Sequence, residues 1–376
     1  MPSLPAHLVA APVLERLTGE VRGTVLGAGA TAAWVDLDGF VVIVTTREVP
    51  LLPNAVALGT GSGALARPGL VPGTPARLLP GRVELGPLHV TWDPAAPPAW
   101  DPTVPVRAAA GPEDVARRGA ALREALTTAP GAVDKPHHPL PGLGYPPGRG
   151  PIHRRVGVNP AQEPIQRRVG LSPAGEPKQR RGGVNPAQEP QQRRGGVGPA
   201  ANSPHDPDPA VLVGELARIG LFSAADPAGG AALELLFRAV RERDPEPAAA
   251  AARELLGRGP GLTPEGDDLL AAVAGTLAVL GPAAGWDRPV LAAFLDHLVA
   301  PARPRTTALS VTLLELAARG RLAEPAGRLL DLGPAGEAAW PAALARLERL
   351  GHGSGRAYAA GIAATTSLLG AGSLGG

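Results

Sequence analysis

Hydrophobic positions change their period once along the chain. Between residues 20 and 95 they come in short runs rich in Val, Thr and Trp: VRGTVL (21–26), AAWVDL (32–37), FVVIVTT (40–46), ARLL (76–79) and LHVTW (88–92). Glycine or proline separates most of them, as in GAGA (27–30), DG (38–39) and PG (80–81). Short β-prone runs punctuated this way predict strands joined by tight turns. The spacing suits a small antiparallel barrel or sandwich, closed near TWDPAAPPAWDP (91–102). GAGATAAW (27–34) reads as a hairpin turn, since a lone Gly-x-Gly after a strand is a weak phosphate-loop signal.

From residue 208 the apolar period becomes helical. DPAVLVGELARIG (208–220) opens on Asp-Pro and stops on Gly. ALELLFRAVRERD (232–244) is amphipathic, PEPAAAAARELLG (245–257) is alanine-rich, and helices follow over 263–280, 286–300, 305–319, 336–350 and 355–370. Residues 112–129 form one more helix, with Pro112 at its start and Val115, Leu122 and Leu126 on one face. Gly119 shares that face, where it would let a neighbour approach closely. The expected fold is α+β: an N-terminal β-rich domain (1–107), a joining helix (108–129), a disordered Pro/Gly/Arg-rich linker (130–207), and a domain of seven or eight helices (208–376).

The linker is assigned from a tandem repeat. Arg pairs recur at 154, 167, 180 and 193, a period of 13, in units such as RRVGVNPAQEPIQ. Each full unit carries two prolines and at most three Val, Leu or Ile residues, too few to offset chain entropy by burial. Residues 135–205 hold eleven Lys or Arg against three Glu, whereas the chain as a whole is only +2. The folded remainder is therefore acidic, and any nucleic-acid role would rest on this segment alone. Near-identical copies favour a duplicated insert in a tolerant loop, so nucleic acid is not the expected partner.

Composition narrows the chemistry further. The chain has no cysteine, which excludes disulfides, thiolate catalysis and Cys-ligated metal. Its first twenty residues lack a basic n-region and a clean apolar run, and the apolar stretches 269–286 and 357–376 are broken by Gly-Pro or are rich in small residues. No membrane association and a cytoplasmic location are expected. Aromatics make up only 3% of residues, so alanine and leucine must fill the core by close helix packing.

Three helix starts, two of them glycine-rich, carry the candidate chemistry. In GRGPGLTPEGDDLL (257–270), Thr263 suits an N-cap, Pro264 the first helical position, and Glu265, Asp267 and Asp268 the positive helix end. Gly259, Gly261 and Gly266 are not explained by capping. Gly266 in the first turn costs about 1 kcal/mol relative to Ala, which suggests close approach by a helix or a ligand. RPRTTALS (303–310) places Thr306, Thr307 and Ser310 at a second start. GHGSGRAYAAG (351–361) places His352, Gly353, Ser354 and Gly355 at a third. Helix starts gather free N–H groups and hold anions. The three ends either converge on one anionic ligand or are three capped helices. Walker, His-Glu-x-x-His and Gly-x-Ser-x-Gly templates are missing.

Together and in order, GxGxGLTPxGDD (257–268), TTALSVTLLELAARGRLAE (306–324) and LGHGSGRAYAAGI (350–362) resemble the AllH family of oxamate carbamoyltransferase subunits. The resemblance covers the N-terminal β region and about 208–370, not the repeats. It implies phosphorolysis of oxalurate to oxamate and carbamoyl phosphate, or the reverse, in allantoin nitrogen catabolism. It also implies FdrA-like and AllG-like partner subunits. Where the family is expected to carry an acid shortly after the glycine loop, this chain reads RAYAAG. On this basis His352, Asp267 and Asp268 are the candidate catalytic residues. Gly259, Gly261, Thr263, Gly266, Thr306, Thr307, Ser310, Gly353, Ser354 and Gly355 are the candidate groups for oxamate or carbamoyl phosphate. No cofactor is assigned from these motifs; Asp267 and Asp268 either hold a divalent ion such as Mg2+, orient donors or bind an amide N–H. The alternative is a non-catalytic subunit that binds a metabolite or assembles a related enzyme.

Overall fold

In a computed structural model, residues 3–66, 70–105, 111–128, 207–221, 226–332, 334–351 and 353–371 are described. The repeats, and all of 129–206, lie outside them.

The N-terminal strands are β1 (Ser3–Ala10), β2 (Val21–Ala28), β3 (Ala32–Leu37), β4 (Phe40–Thr45), β5 (Ala55–Leu58), β6 (Pro75–Leu79), β7 (Arg82–Leu85), β8 (Leu88–Thr91) and β9 (Ala99–Trp100), with a one-turn helix α1 (Ala11–Leu14) after β1. Their order is β5-β4-β3-β2-β6-β7-β8-β1, and β1 also pairs with β5, so eight strands close into a barrel and β9 adds to β1. Closure leaves these eight strands without a free edge. The barrel or sandwich expectation thus resolves to a barrel. Its pairing is mixed rather than purely antiparallel, because β1–β8 and β4–β5 run parallel.

Local sequence explains the hairpins. Asp38 and Gly39 both take positive φ (54° and 78°), the two-residue geometry that joins twisted strands, and the Asp36 carboxylate accepts the Gly39 N–H at 2.8 Å. GAGA does form the β2–β3 turn, closed by Gly29 N–H donating to the Ala32 carbonyl at 2.8 Å. β4 is buried at every position. Val42 and Val44 face the barrel core, while Val41 and Ile43 face the helices. An unbroken apolar run is what two-sided burial demands.

The helices are α2 (Pro112–Thr128), α3 (Pro209–Arg218), α4 (Pro227–Glu242), α5 (Pro245–Leu255), α6 (Glu265–Leu280), α7 (Arg288–Val299), α8 (Ala308–Ala317), α9 (Glu324–Leu330), α10 (Pro334–Leu347) and α11 (Ser354–Ala371). Asp-Pro pairs start three of them: Asp208, Asp226 and Asp244 accept the N–H groups of Ala210, Gly229 and Glu246. α9, seven residues long, was absent from the sequence reading. Alanines such as Ala248, Ala252, Ala272, Ala274, Ala357 and Ala360 fill the helical core around Phe237 and Phe294. α2 lies across α11, and a Cβ at Gly119 would stand 2.8 Å from the Ser367 backbone. The close approach expected at Gly119 is therefore present.

Barrel and helices share a polar seam. Thr312 of α8 accepts the buried Val41 N–H at 3.0 Å. Glu324 N–H donates to the Leu51 carbonyl, and Leu322 N–H to that of Pro102. Arg321 grips Glu15 bidentately at 2.6 Å. Among the described residues, no helix is long and apolar enough to cross a membrane.

Candidate functional site

α6 is the buried centre of the helical part; of its sixteen residues only Glu265 and Ala278 escape full burial. α8 and α11 flank it and run in the same direction. Thr306 reaches Asp267 at one end of the α6–α8 pair, and Leu322 meets Gly275 further along. Thr263 meets Ser354 at the start of the α6–α11 pair, and Gly361 packs on Leu269 and Ala272 farther on. Three parallel helices thus bring their starts, and the positive ends of their dipoles, to one place. The sequence left convergence open; the structure brings these ends together.

Most of the predicted polar residues meet there. The Asp267 carboxylate is 2% exposed and accepts the Gly257 N–H at 2.7 Å and the Thr306 hydroxyl. Thr307 is the N-cap of α8: its Oγ1 accepts the Ser310 N–H at 3.1 Å and donates to the Leu262 carbonyl at 2.7 Å. The Thr263 and Ser354 hydroxyls are 2.9 Å apart. Asp268, 6% exposed, lies against those two hydroxyls, yet its Oδ2 has no hydrogen-bond partner among the described residues. His352 falls outside the described residues.

Burial sets the protonation of the acids. It pushes Asp268 up to about 8; the Asp267 and Glu265 charges add to the rise, and the Ser354 and Thr263 hydroxyls oppose it. Burial also raises Asp267, against the hydrogen bonds from Thr306 and Gly257, and raises Glu265. A neutral Asp268 can donate a hydrogen bond, which an ionised one cannot. Both Asp267 oxygens are committed to donors. Among the described residues, no three His, Cys, Asp or Glu side chains cluster as a metal site would need.

The glycines divide by cause. A Cβ on Gly266 would sit 2.1 Å from the Leu255 carbonyl oxygen, and one on Gly355 only 1.8 Å from that of Leu347. Both are accounted for by backbone packing. Gly259 has φ +112° and a virtual Cβ 2.9 Å from the Glu265 nitrogen. Gly261 has φ +104° and open space around it. Gly353 faces Glu265, whose Oε1 is 3.2 Å from its virtual Cβ. Thr263 is not the N-cap of α6. Pro264 holds that position without a side-chain bond, and the Gly266 N–H is instead taken by the Arg258 carbonyl at 3.0 Å.

Sequence reasoning missed three participants. Gly257 supplies a backbone donor to Asp267. Leu262 packs on the small apolar cluster of Ala32, Val41, Ile43 and Leu309, where β3 and β4 meet α8. Tyr358 senses the Asp268 charge and is raised mainly by burial. Its spacing of four from Ser354, which puts both on one helix face, was the available signal. A cavity of about 330 Å3 lies elsewhere, at the end of the barrel lined by Phe40 and Leu78.

No curated protein and no solved structure gives a significant match to the chain. Residues 255–366, which hold all three converging helix starts, match the family model described as oxamate carbamoyltransferase subunit AllH.

Proposed function

We propose that the chain is a subunit of an oxamate carbamoyltransferase-type complex and that its converging helix starts hold the anionic substrate. The reaction is phosphorolysis of oxalurate to oxamate and carbamoyl phosphate, or its reverse, in allantoin nitrogen catabolism. FdrA-like and AllG-like subunits complete the complex. The observation that carries this reading is Asp268: a buried carboxyl, beside Thr263 and Ser354, with one oxygen unpartnered among the described residues where three helix starts meet.

The chemistry suits such a group. A phosphate oxygen bonds to the carbamoyl carbon while the bond from that carbon to the oxamate nitrogen breaks. That nitrogen gains a proton as hydrogen phosphate loses one. A carboxyl held neutral near pH 7 can give the proton to the departing nitrogen and regain it from phosphate. Helix-start N–H groups and the Ser354 hydroxyl stabilise oxygen charge.

The test is assembly of the chain with its FdrA-like and AllG-like partners and assay of carbamoyl phosphate formed from oxalurate and phosphate. Asp268→Asn in an intact complex is expected to lower turnover by about 100-fold or more, the scale of losing a general acid. An intact complex with full activity in that variant places the chemistry on another subunit. The mutual bonding of Thr306, Asp267, Thr263 and Ser354 favours one second reading, a subunit that binds the metabolite without transforming it. There, substrate affinity falls in Ser354→Ala while turnover at saturation persists.

A further inference from the structure

Arginines in the helical part mostly obey the helix dipole. Arg218, Arg241 and Arg253 stand in the last turns of α3, α4 and α5, where a cation is favoured. Arg288 opens α7 but directly follows the N-cap acid Asp287. Arg303 is paired with Glu315 at 2.7 Å, and Arg258 with Asp226 at 2.7 Å.

Arg305 and Arg356 break the rule. Arg305 is exposed and sits two residues before the α8 cap Thr307; its carbonyl oxygen is held against Gly257. Arg356, half-buried, is the third residue of α11. Neither helix has an acid in its first turn. Neither arginine has an ion-pair partner among the described residues. Each therefore adds positive charge to an already positive helix end, an arrangement that costs stability. Both stand at the candidate site: Arg305 adjoins Thr306, which binds Asp267, and Arg356 follows Ser354, which binds Thr263. The unpartnered Oδ2 of the buried Asp268 lies at the same junction and independently marks a missing polar group.

We propose that Arg305 and Arg356 form the charge-binding half of this site and that its ligand is a dianion whose charge the two guanidinium groups share. This rests on the proposed function and adds to it the residues that select a dianion such as carbamoyl phosphate. Guanidinium forks suit carboxylate and phosphate oxygens, and charge-assisted bonds to them are strong.

The experiment is calorimetric titration of the full-length protein, alone and in complex with its partner subunits, with carbamoyl phosphate and with oxamate. Variants are Arg305→Ala, Arg356→Ala, the double variant, Arg305→Lys, and the controls Arg288→Ala and Arg303→Ala. Each single site variant is expected to weaken carbamoyl phosphate binding about tenfold or more, the scale of a lost hydrogen bond to a charged group. The singly charged oxamate should lose affinity in fewer variants, and Arg305→Lys should recover part of the loss. Without ligand, Arg356→Ala should melt at the same temperature or higher, a result a purely structural arginine would not give. A double variant that binds within twofold of wild type overturns the proposal. If it does so while Asp268→Asn abolishes binding, the proposed function stands without these arginines. If the wild-type complex binds neither anion, both fail.

Discussion

The Thr306 hydroxyl donates to the Asp267 carboxylate, and this bond ties the start of α8 to the start of α6 across 39 residues of sequence. Asp267 has a second donor in Gly257, so its charge is held by two bonds inside the protein. Thr306→Val removes one of them and leaves a buried carboxylate short of a partner. The expected loss is about 1–3 kcal/mol, read from urea unfolding of the full-length chain. Thr306→Ser, which keeps the hydroxyl, should recover most of it.

Gly266 separates packing from ligand binding. With the Leu255 carbonyl only 2.1 Å from its virtual Cβ, Gly266→Ala forces α5 and α6 apart. A cost of about 1–3 kcal/mol is expected, as for overpacked cores. Gly214 in α3 has open space at its Cβ position, and Gly214→Ala should gain up to about 1 kcal/mol. Chemical denaturation of the two variants side by side checks the contrast.

Stability should depend on pH through Asp268. Its folded-state value, about 8, lies above its ordinary value of 3.8, so the folded protein binds the extra proton. Stability then falls as pH rises from about 4 to about 8 and levels off above that. Asp267 and Glu265, raised as well, act in the same direction. Asp114 and Asp226 are lowered, chiefly by backbone hydrogen bonds from Gly111 and Gly229, so their contribution disappears only in more acid solution. Asp268→Asn should flatten the neutral limb and stabilise the protein at pH 8. An unchanged limb in melting curves from pH 5 to 9 would mean the carboxyl ionises normally.

The seam between barrel and helices offers a test away from the site. Thr312→Val leaves the buried Val41 N–H without its acceptor and should cost about 1–3 kcal/mol by thermal or urea unfolding. Anion binding in the folded protein should be unaffected.

Much of this was legible from local pattern. The Asp-Pro helix start at 208, the Asp-Gly hairpin and the close approach at Gly119 all follow from residues near one another in sequence. What was missed is non-local. β1 was not predicted, because its run includes Pro5 and its partners are β5 and β8, about fifty and eighty-five residues away. Thr263 looks like a cap, yet its hydroxyl is taken by Ser354, 91 residues on. Gly266 was ambiguous between ligand and helix because its neighbour, the Leu255 carbonyl, is backbone and leaves no trace in side-chain pattern. Tyr358 escaped notice because helix spacing alone does not say which buried acid it will face.

The crossing of α2 on α11 bears on where this molecule can be cut. The family-matched stretch begins at residue 255 and ends at 366, whereas the helix that shields much of α11 lies at 112–128 and the strand that packs on α8 lies at 40–45. Excision of the matched stretch would strip α11 of its cover by α2 and α8 of its contact with β4. The boundary that sequence kinship draws is therefore not a boundary of folding autonomy: a truncated 255–366 polypeptide should be insoluble or molten, and whatever chemistry its three motifs perform is a property of a longer chain.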